Sequence, residues 1–271
     1  MKKRIILILI AVMTVVLAAC SAATESTSET AAPADGDMQL LEPGKLIVAT
    51  EASFPPYVMV AEDGEGVAGT GLEGIDIELA AAIADKLGLE LVVQNVEFDY
   101  ALYSPQNGKA DLVIGGLTAS SERKQFMLFS ECYFDAFQVV IVPEDSEIDT
   151  PADLLDRKIA VVRNTTAWIY CLNNYGEKKV SVFDSCADLV DALLEGRVEA
   201  IVLDEAPAEA IVQETEGLVI LKKEFTDDEF AIGMAKDNVG LQNAVDEALA
   251  ELKSDGTLQK IIEGHIPSNP I

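Results

Sequence analysis

The sequence predicts an α/β protein of two lobes, in which each lobe is a mostly parallel sheet flanked by helices and two hinge strands join the lobes. Short apolar runs alternate with segments of helical periodicity, which is typical of parallel strands connected by helices. This pattern occurs twice along the chain, so we expect two units of similar size. A chain of 271 residues that is 49% hydrophobic can bury a core in each unit.

Residues 1–19 predict a signal peptide. Lys2 to Arg4 form a positive region, and the apolar run from Ile5 to Ala19 is shorter than the roughly 20 residues that a membrane span needs. The run ends in Leu-Ala-Ala-Cys20, which resembles the lipobox of bacterial lipoproteins, where the chain is cut before the cysteine and the thiol is acylated. Residues 20–43 would then be the lipidated Cys20 and a flexible linker. A plain signal peptide with an incidental cysteine is the alternative.

The charge balance excludes several classes of function. With 19 basic and 47 acidic residues the formal net charge is −28, so the surface repels the phosphate backbone of nucleic acids. Cleavage of the signal peptide removes three basic residues and lowers the charge to −31, so attachment to a membrane would depend on the lipid on Cys20. One histidine and four cysteines argue against zinc chemistry and a histidine-based triad, and we expect neither a metal nor a cofactor.

Three cysteines follow Cys20, namely Cys132, Cys171 and Cys186. An exported protein can form disulfides, and the last two lie fifteen residues apart in the predicted second lobe, so they can pair. The alternative is that all three are small buried apolar residues.

The first lobe is predicted from residues 44–135 together with residues 233–271. Its first helix ends at Gly88, a typical C-terminal cap, and Pro105 disturbs its second helix. The expected elements are a strand over Leu46 to Thr50, a helix over Ile75 to Leu87, a strand over Leu89 to Val93, a short helix over Tyr100 to Asn107, a strand over Asp111 to Gly115, and helices over Asn238 to Lys253 and Thr257 to Glu263.

The second lobe, with the hinge strands, is predicted from residues 136–232. Apolar segments over Phe137 to Val142 and Phe230 to Ala235 are interpreted as hinge strands, because the chain must leave the first lobe and later return. Ligands of open α/β sheets bind at the carboxyl ends of strands, so two facing lobes predict a cleft. The other expected elements are strands over Lys158 to Val162, Val180 to Phe183 and Glu199 to Leu203, and helices over Thr165 to Tyr175, Cys186 to Leu194 and Ala206 to Gln213.

The loop after the first strand contains Glu51, Phe54 and Tyr57 around two prolines. The prolines fix a rigid bend that can hold either aromatic ring at the carboxyl end of the strand. Burial in the core is the alternative for both rings.

A second loop, after the third strand, predicts a carboxylate site. Gly115 and Gly116 open the backbone to close approach, Thr118 supplies a hydroxyl, and Ser120 is expected to cap a helix that carries Arg123 in its first turn. A helix N-terminus with a planar guanidinium suits a carboxylate. An arginine after a serine is, taken alone, more often part of a surface salt bridge.

The second lobe offers the complementary charge. Arg163 to Thr166 follow a strand and supply N–H groups and hydroxyls, while Asp204 directly follows another apolar strand. The carboxylate of Asp204 can pair with a cation in the cleft, or it can cap the next helix. One lobe therefore binds a carboxylate and the other an ammonium, which together fit an α-amino-acid zwitterion.

The mature chain, from about Gly44 to Pro267, resembles the type II periplasmic solute-binding proteins of polar-amino-acid ABC transporters, solute-binding family 3. The segments that carry the resemblance are LIVATEASFPPY, GIDIELAAAIADKLG, GKADLVIGGLTASSERKQFMLFS, VVRNTT, EAIVLDEAPA and EALAELKSDGTLQKI. The block from Gly108 to Ser130 is the most specific. The resemblance implies the type II periplasmic-binding-protein fold.

The resemblance also implies a set of ligand contacts. Arg123 and Thr118 would bind the ligand carboxylate, and Asp204 and the carbonyl of Gly116 would bind its ammonium. The remaining contacts would be Phe54 and Phe98 beside the ligand side chain, Glu51 at its polar end, and Thr166 from the second lobe. The chain departs from the family pattern at Asn164, which stands where glycine is usual, and at Arg163, which is uncommon there and would contact the ligand if it faces the cleft.

These observations predict capture of a polar L-amino acid, with a preference for a basic one, in the cleft outside the cytoplasm. A monomer would deliver it to the membrane permease of an ABC transporter, with no chemical reaction. Glu51 favours a basic or amide side chain, and Arg163 would instead favour an acidic or amide one. One alternative is an enzyme on the same fold that resembles cyclohexadienyl dehydratase. The other is a ligand-sensing lipoprotein.

Overall fold

The computed structural model describes residues 38–221 and 226–266, and for residues 226 and 227 it describes only the backbone. The predicted signal peptide, Cys20 and the linker up to residue 37 lie outside the described residues. Within the described ranges, no helix is both long enough and apolar enough to cross a membrane.

The described chain alternates strands with helices. The strands are β1 Lys45–Thr50, β2 Ser53–Phe54, β3 Val58–Val60, β4 Leu72–Glu73, β5 Glu90–Asn95, β6 Leu112–Val113, β7 Met127–Phe129, β8 Phe134–Pro143, β9 Ile159–Val162, β10 Val180–Phe183, β11 Ala200–Asp204, β12 Leu218–Ile220, β13 Thr226–Phe230 and β14 Gly233–Ala235. The α-helices are α1 Ile75–Leu87, α2 Phe98–Tyr103, α3 Thr166–Tyr175, α4 Cys186–Leu194, α5 Glu205–Glu214, α6 Val239–Ser254 and α7 Thr257–His265.

The first lobe is built on a five-stranded sheet in the order β5-β1-β6-β14-β7. β1 pairs in parallel with β5 and β6, and β14 pairs antiparallel with β6 and β7. Because β1 and β6 are parallel neighbours, the loops that follow them start at the same edge of the sheet. Helices α1, α6 and α7 pack on one another and on this sheet through one apolar core.

Helix α1 ends where its sequence predicts. Gly88 adopts a left-handed conformation with φ 67° at the C-cap, and its N–H bonds to the carbonyls of Ala84 and Asp85. The apolar face of the helix is fully buried, which accounts for the periodic run from Ile75 to Ala84.

The second lobe is built on a six-stranded sheet with the strand order β10-β9-β11-β8-β12, and β13 also pairs with β8. β9 lies between parallel partners β10 and β11, while β8 runs antiparallel to its neighbours. Apolar clusters cover both faces of this sheet. The predicted two-lobe α/β fold is confirmed, but the prediction of mostly parallel sheets is wrong. Two of the four strand pairings in the first sheet and three of the five in the second are antiparallel, because β8 and β14 run against their neighbours.

The first hinge segment is longer than predicted, and the second is broken. The predicted strand over Phe137 to Val142 lies inside β8, whereas the predicted strand over Phe230 to Ala235 is divided between β13 and β14. Phe230 pairs with β8 of the second lobe, and Gly233 pairs with β6 and β7 of the first lobe. The strand must break between them because its partners belong to different sheets.

Two predicted helices are also wrong in detail. The helix expected over Tyr100 to Asn107 is α2, which ends before Pro105 because proline has no N–H to continue the helix. The α-helix expected after Ser120 is a single 3-10 turn, Arg123–Gln125, although the Ser120 hydroxyl does accept a hydrogen bond from the Arg123 N–H at 3.3 Å.

The three described cysteines are all free, so Cys171 and Cys186 are not paired. Cys171 is buried in the core between α3 and the second sheet, as the alternative prediction holds. Cys186 begins α4 at the edge of a cavity between the lobes.

Candidate functional site

A cavity of about 690 Å³, counted with the open space at its mouth, lies between the two lobes. It is bounded by the carboxyl ends of β1 and β6 on one side and of β9 and β11 on the other, as expected for facing α/β sheets. Eight of the nine predicted ligand-binding residues line it, namely Glu51, Phe54, Phe98, Gly116, Thr118, Arg123, Thr166 and Asp204. The structure does not bring the ninth, Arg163, to this cavity.

The Gly115-Gly116 turn is held by a residue that the sequence reasoning did not identify. Asp76, in the first turn of α1, is fully buried, and its Oδ2 accepts a hydrogen bond from the Gly116 N–H at 2.7 Å. Gly116 has φ 55°, and a Cβ at this position would lie 2.4 Å from Cε1 of Phe54. Glycine is therefore required, because the Phe54 ring lies directly on the backbone of the turn.

The two candidate aromatic rings have different roles. Tyr57 is only 1% exposed and packs edge-on against Phe134 and Phe230, so it belongs to the core, as its alternative prediction holds. Phe54 is half-buried, stacks on Tyr57 with ring centroids 5.5 Å apart, and packs against the apolar cores of both lobes. Phe54 therefore lies at the junction of the lobes and borders the cavity.

Arg123 supplies hydrogen-bond donors to the cavity. Its side chain is buried, with 5% of the residue exposed, and Nη1 donates to the Thr118 carbonyl at 2.9 Å while Nη2 donates to the Asn164 carbonyl at 3.0 Å. The guanidinium carbon lies 5.8 Å from the centroid of the Phe98 ring, a cation–π distance. A guanidinium has five N–H donors, so after these two bonds it keeps donors that can bind a carboxylate.

Burial lowers the pKa of Arg123 to about 10, and the carboxylates of Asp228 and Asp204 oppose this effect. The guanidinium therefore keeps its charge at neutral pH. A buried cation of this kind needs an anionic partner, which a ligand carboxylate can provide.

Asp204 is the last residue of β11 and stands at the N-cap position of α5, but its side chain does not cap the helix. Its Oδ1 is enclosed and has no hydrogen-bond partner. Burial, strengthened by the charge of Asp228 and opposed by Arg123, raises the pKa of Asp204 to about 8. This oxygen lies at the wall of the cavity and receives no hydrogen bond from the protein. It is therefore suited to accept a hydrogen bond from the ammonium of a ligand.

A polar network behind the cavity joins the hinge to the second lobe. Gln138 Nε2, on β8, donates to Thr166 Oγ1 at 2.6 Å and to Asp228 Oδ2, on β13, at 2.9 Å. Thr166 Oγ1 in turn donates to Asp228 Oδ2 at 3.1 Å. Because its proton is engaged there, the Thr166 hydroxyl can only accept a further hydrogen bond within the cavity.

The sequence reasoning missed both Gln138 and Asp228. Gln138 is the one amide within the apolar run from Phe137 to Val142, and a polar residue in a buried strand is a sign that would have identified it. Asp228 lies in an acidic stretch of a hinge strand and has no sequence pattern that distinguishes it from its neighbours.

Glu51 and Cys186 line another part of the cavity wall. Glu51 Oε2 accepts a hydrogen bond from the Ser53 hydroxyl at 2.7 Å, and burial raises the pKa of Glu51. Burial raises the pKa of the Cys186 thiol to about 12, so this cysteine is a neutral thiol at neutral pH. Asp184 and Ser185, at the start of α4, lie beside it and were not predicted.

Arg163 does not line the cavity, although its ion-pair partner does. Its side chain is 46% exposed, and Nε forms an ion pair with Asp184 Oδ1 at 2.9 Å. The next residue, Asn164, has φ 59° and faces the first lobe instead. The acidic-ligand preference that Arg163 would have given therefore has no support from its position.

Comparison with known proteins identifies the family of this chain. The family model for bacterial extracellular solute-binding proteins, family 3, matches residues 46–268. The L-cystine-binding protein TcyJ of Escherichia coli is 31% identical over 225 residues, which cover 82% of each chain. The arginine-binding extracellular protein ArtP of Bacillus subtilis is 28% identical over 267 residues, which cover 96% of each chain.

Solved structures agree with this assignment. An ancestral arginine-binding protein bound to glutamine superimposes with a TM-score of 0.77 and 36% identity, covering 83% of this chain and 99% of that one. The arginine-, lysine-, histidine-binding protein ArtJ from Geobacillus stearothermophilus gives a TM-score of 0.77 at 28% identity, covering 83% and 96%. The fold is that of the type II periplasmic binding proteins, and the chain belongs to the bacterial extracellular solute-binding proteins of family 3.

Proposed function

We propose that the protein captures a polar L-amino acid in the cavity between its lobes and delivers it to the permease of an ABC transporter. One observation carries the proposal: Arg123 keeps unused donors on one wall of the cavity, and Asp204 has an enclosed oxygen without a donor on the facing wall. An α-amino acid offers a carboxylate to the first group and an ammonium to the second.

The relatives support an amino-acid ligand. Their names describe proteins that bind cystine, arginine, lysine or histidine, and the ancestral arginine-binding protein was solved with glutamine. Within this chain, Glu51 lines the cavity and Arg163 does not, which favours a basic or amide side chain over an acidic one. Phe54 and Phe98 would flank that side chain, and the Gly116 carbonyl, Thr118 and Thr166 would complete the set of contacts.

The ligand can be identified directly. The protein is purified natively, denatured, and its small-molecule extract is analysed by mass spectrometry. We expect one polar amino acid in near-stoichiometric amount from the wild type and much less from Arg123→Ala purified in parallel. An extract from which amino acids are absent, followed by no calorimetric response to any of the twenty L-amino acids, would contradict the proposal.

The proposed function includes no chemical reaction. The alternative enzyme would act on prephenate, which has no ammonium to pair with Asp204. Incubation with prephenate should therefore give no phenylpyruvate above the spontaneous rate, and turnover of the wild type above that rate would favour the enzyme.

We also propose that Cys20 carries a lipid and that the monomeric protein works outside the cytoplasm, tethered to the membrane by the linker. The lipobox resemblance and the extracellular family support this proposal. Replacing Cys20 by Ala should release the protein into soluble fractions and leave ligand affinity unchanged. Cys20→Ala protein that stays membrane-bound and still incorporates radioactive palmitate would contradict the lipidation.

A further inference from the structure

Two hydrogen bonds join the lobes at a single residue of the second lobe. Asn164, in the loop between β9 and α3, donates from Nδ2 to Asp99 Oδ1 at 2.5 Å. Its main-chain carbonyl accepts from Arg123 Nη2 at 3.0 Å. Asp99 lies in the first turn of α2, and Arg123 lies in the 3-10 turn, so both partners belong to the first lobe.

The backbone at Asn164 explains why this residue type matters. Its φ of 59° lies in the left-handed region, where glycine is least strained and asparagine is among the better-tolerated alternatives. A glycine at this position would keep the carbonyl that Arg123 contacts, but it would have no side chain to reach Asp99. The amide of Asn164 therefore adds a contact between the lobes that the usual glycine cannot make.

The hydrogen bond from Asn164 to Asp99 is stronger than one between two neutral groups. A carboxylate acceptor makes a charge-assisted hydrogen bond, and both residues are half-buried rather than open to solvent. Among the described residues, no lysine, arginine or histidine forms an ion pair with Asp99 that would compete with the amide. The contact can exist only while the lobes are close, so it stabilises the closed arrangement relative to an open one.

We propose that Asn164 is a latch that holds the two lobes together: its side chain bonds to Asp99 and its carbonyl orients Arg123 toward the cavity. The inference rests on the proposed function in one respect, namely that closure of the lobes retains the amino acid. A ligand held in the closed form escapes only when the lobes separate, so the latch should lower the dissociation rate.

The test measures the distance between the lobes directly. Fluorophores are placed on unnatural amino acids at Asp85 and Glu177, which are exposed on the first and the second lobe, and single-molecule energy transfer is recorded. Each protein is measured without ligand, with L-arginine and with L-glutamine. The variants are Asn164→Gly, Asp99→Ala and their combination.

Asn164→Gly suits the left-handed backbone and preserves the carbonyl, so it removes only the amide. We expect Asn164→Gly and Asp99→Ala each to shift the distribution toward longer distances, and the double variant to shift it no further than either single variant. Asp99→Asn retains an acceptor and should lie between Asp99→Ala and the wild type. Dissociation of a bound amino acid should become faster by about tenfold in both single variants.

Matched controls use exposed residues of the first lobe. Asp237→Ala removes the same charge and Asn107→Gly makes the same replacement, and neither should change the distances. Equal distances in wild type and both latch variants, or additive shifts in the double variant, would overturn the proposal. A shift for Asn164→Gly without one for Asp99→Ala would also overturn it, since the effect would then come from the backbone.

A wild type that is fully open with and without both amino acids would equally overturn the latch. The distances are also measured without ligand, so they test the latch even if no amino acid binds. Failure to bind any amino acid would contradict the proposed function and not the latch.

Discussion

Binding of an amino acid should release a proton from Asp204. Burial and the nearby charge of Asp228 raise the pKa of Asp204 to about 8, so at neutral pH most of the free protein carries a protonated Asp204. An ammonium can pair only with the ionised carboxylate. Binding must therefore remove this proton, and affinity should rise as the pH rises toward 8.

The expected change of affinity with pH can be calculated from the pKa of Asp204. With a pKa of about 8, about half of the free protein is ionised at pH 8 and about 1% at pH 6. Affinity should therefore fall roughly fiftyfold between these pH values, equivalent to about 2.3 kcal/mol. The ligands to use are L-arginine and L-glutamine, because neither side chain titrates in this interval.

Isothermal titration calorimetry in buffers of different ionisation enthalpy measures the protons released. We expect about one proton per ligand near pH 6 and about half of one near pH 8. Asp204→Asn, which keeps the size of the side chain, should bind more weakly and lose both the proton release and the pH dependence. A wild type whose affinity is constant from pH 6 to 8, or an Asp204→Asn protein that keeps the wild-type slope, would refute the reasoning.

Three other perturbations test separate parts of the site. Arg123→Ala leaves the ligand carboxylate without its buried partner and should weaken binding by about 2–5 kcal/mol, which calorimetry would detect as a loss of thirtyfold or more. Glu51→Gln should cost a cationic amino acid about 1–3 kcal/mol and a neutral amide much less, and a uniform loss across a ligand panel would make Glu51 structural. Burial raises the pKa of Asp76 to about 7, above its value in the unfolded chain. The folded protein therefore binds this proton more tightly than the unfolded chain does. The stability that the proton adds is complete below about pH 4 and is lost as the pH rises to about 7. The melting temperature of Asp76→Asn should therefore fall less over this interval than that of the wild type, and parallel curves would contradict this role.

The elements that sequence reasoning predicts well are those with a local cause. β1 and α1 follow from an apolar run and from helical periodicity closed by Gly88. The short strands β7 and β12 and the break between β13 and β14 depend on partners far along the chain, and no local pattern specifies them. Pairing across sheets is a tertiary property, so single-sequence patterns miss it.

The residues of the candidate site also separate into those that local sequence predicts and those that it does not. Arg123 and Asp204 are predictable because Arg123 lies in the loop after a strand and Asp204 at the end of another, and strand ends meet at one edge of a sheet. Asp76 is buried in the first turn of a helix where an acid is ordinarily exposed at the N-terminus, so its contact with Gly116 cannot be read from sequence. The side chain of Arg163 is engaged by Asp184, which lies on another loop, so its absence from the cavity wall could not be predicted from local sequence.

The central claim is that the cavity recognises the two charges of an amino acid together. The most direct test is calorimetric titration of ligand-stripped protein with the twenty L-amino acids, in which the tightest binder is compared with the amine that lacks its carboxylate. We expect at least one polar amino acid to bind, and its decarboxylated amine to bind at least thirtyfold more weakly. An amine that binds as tightly as its amino acid, or a panel without any binder, would contradict the account.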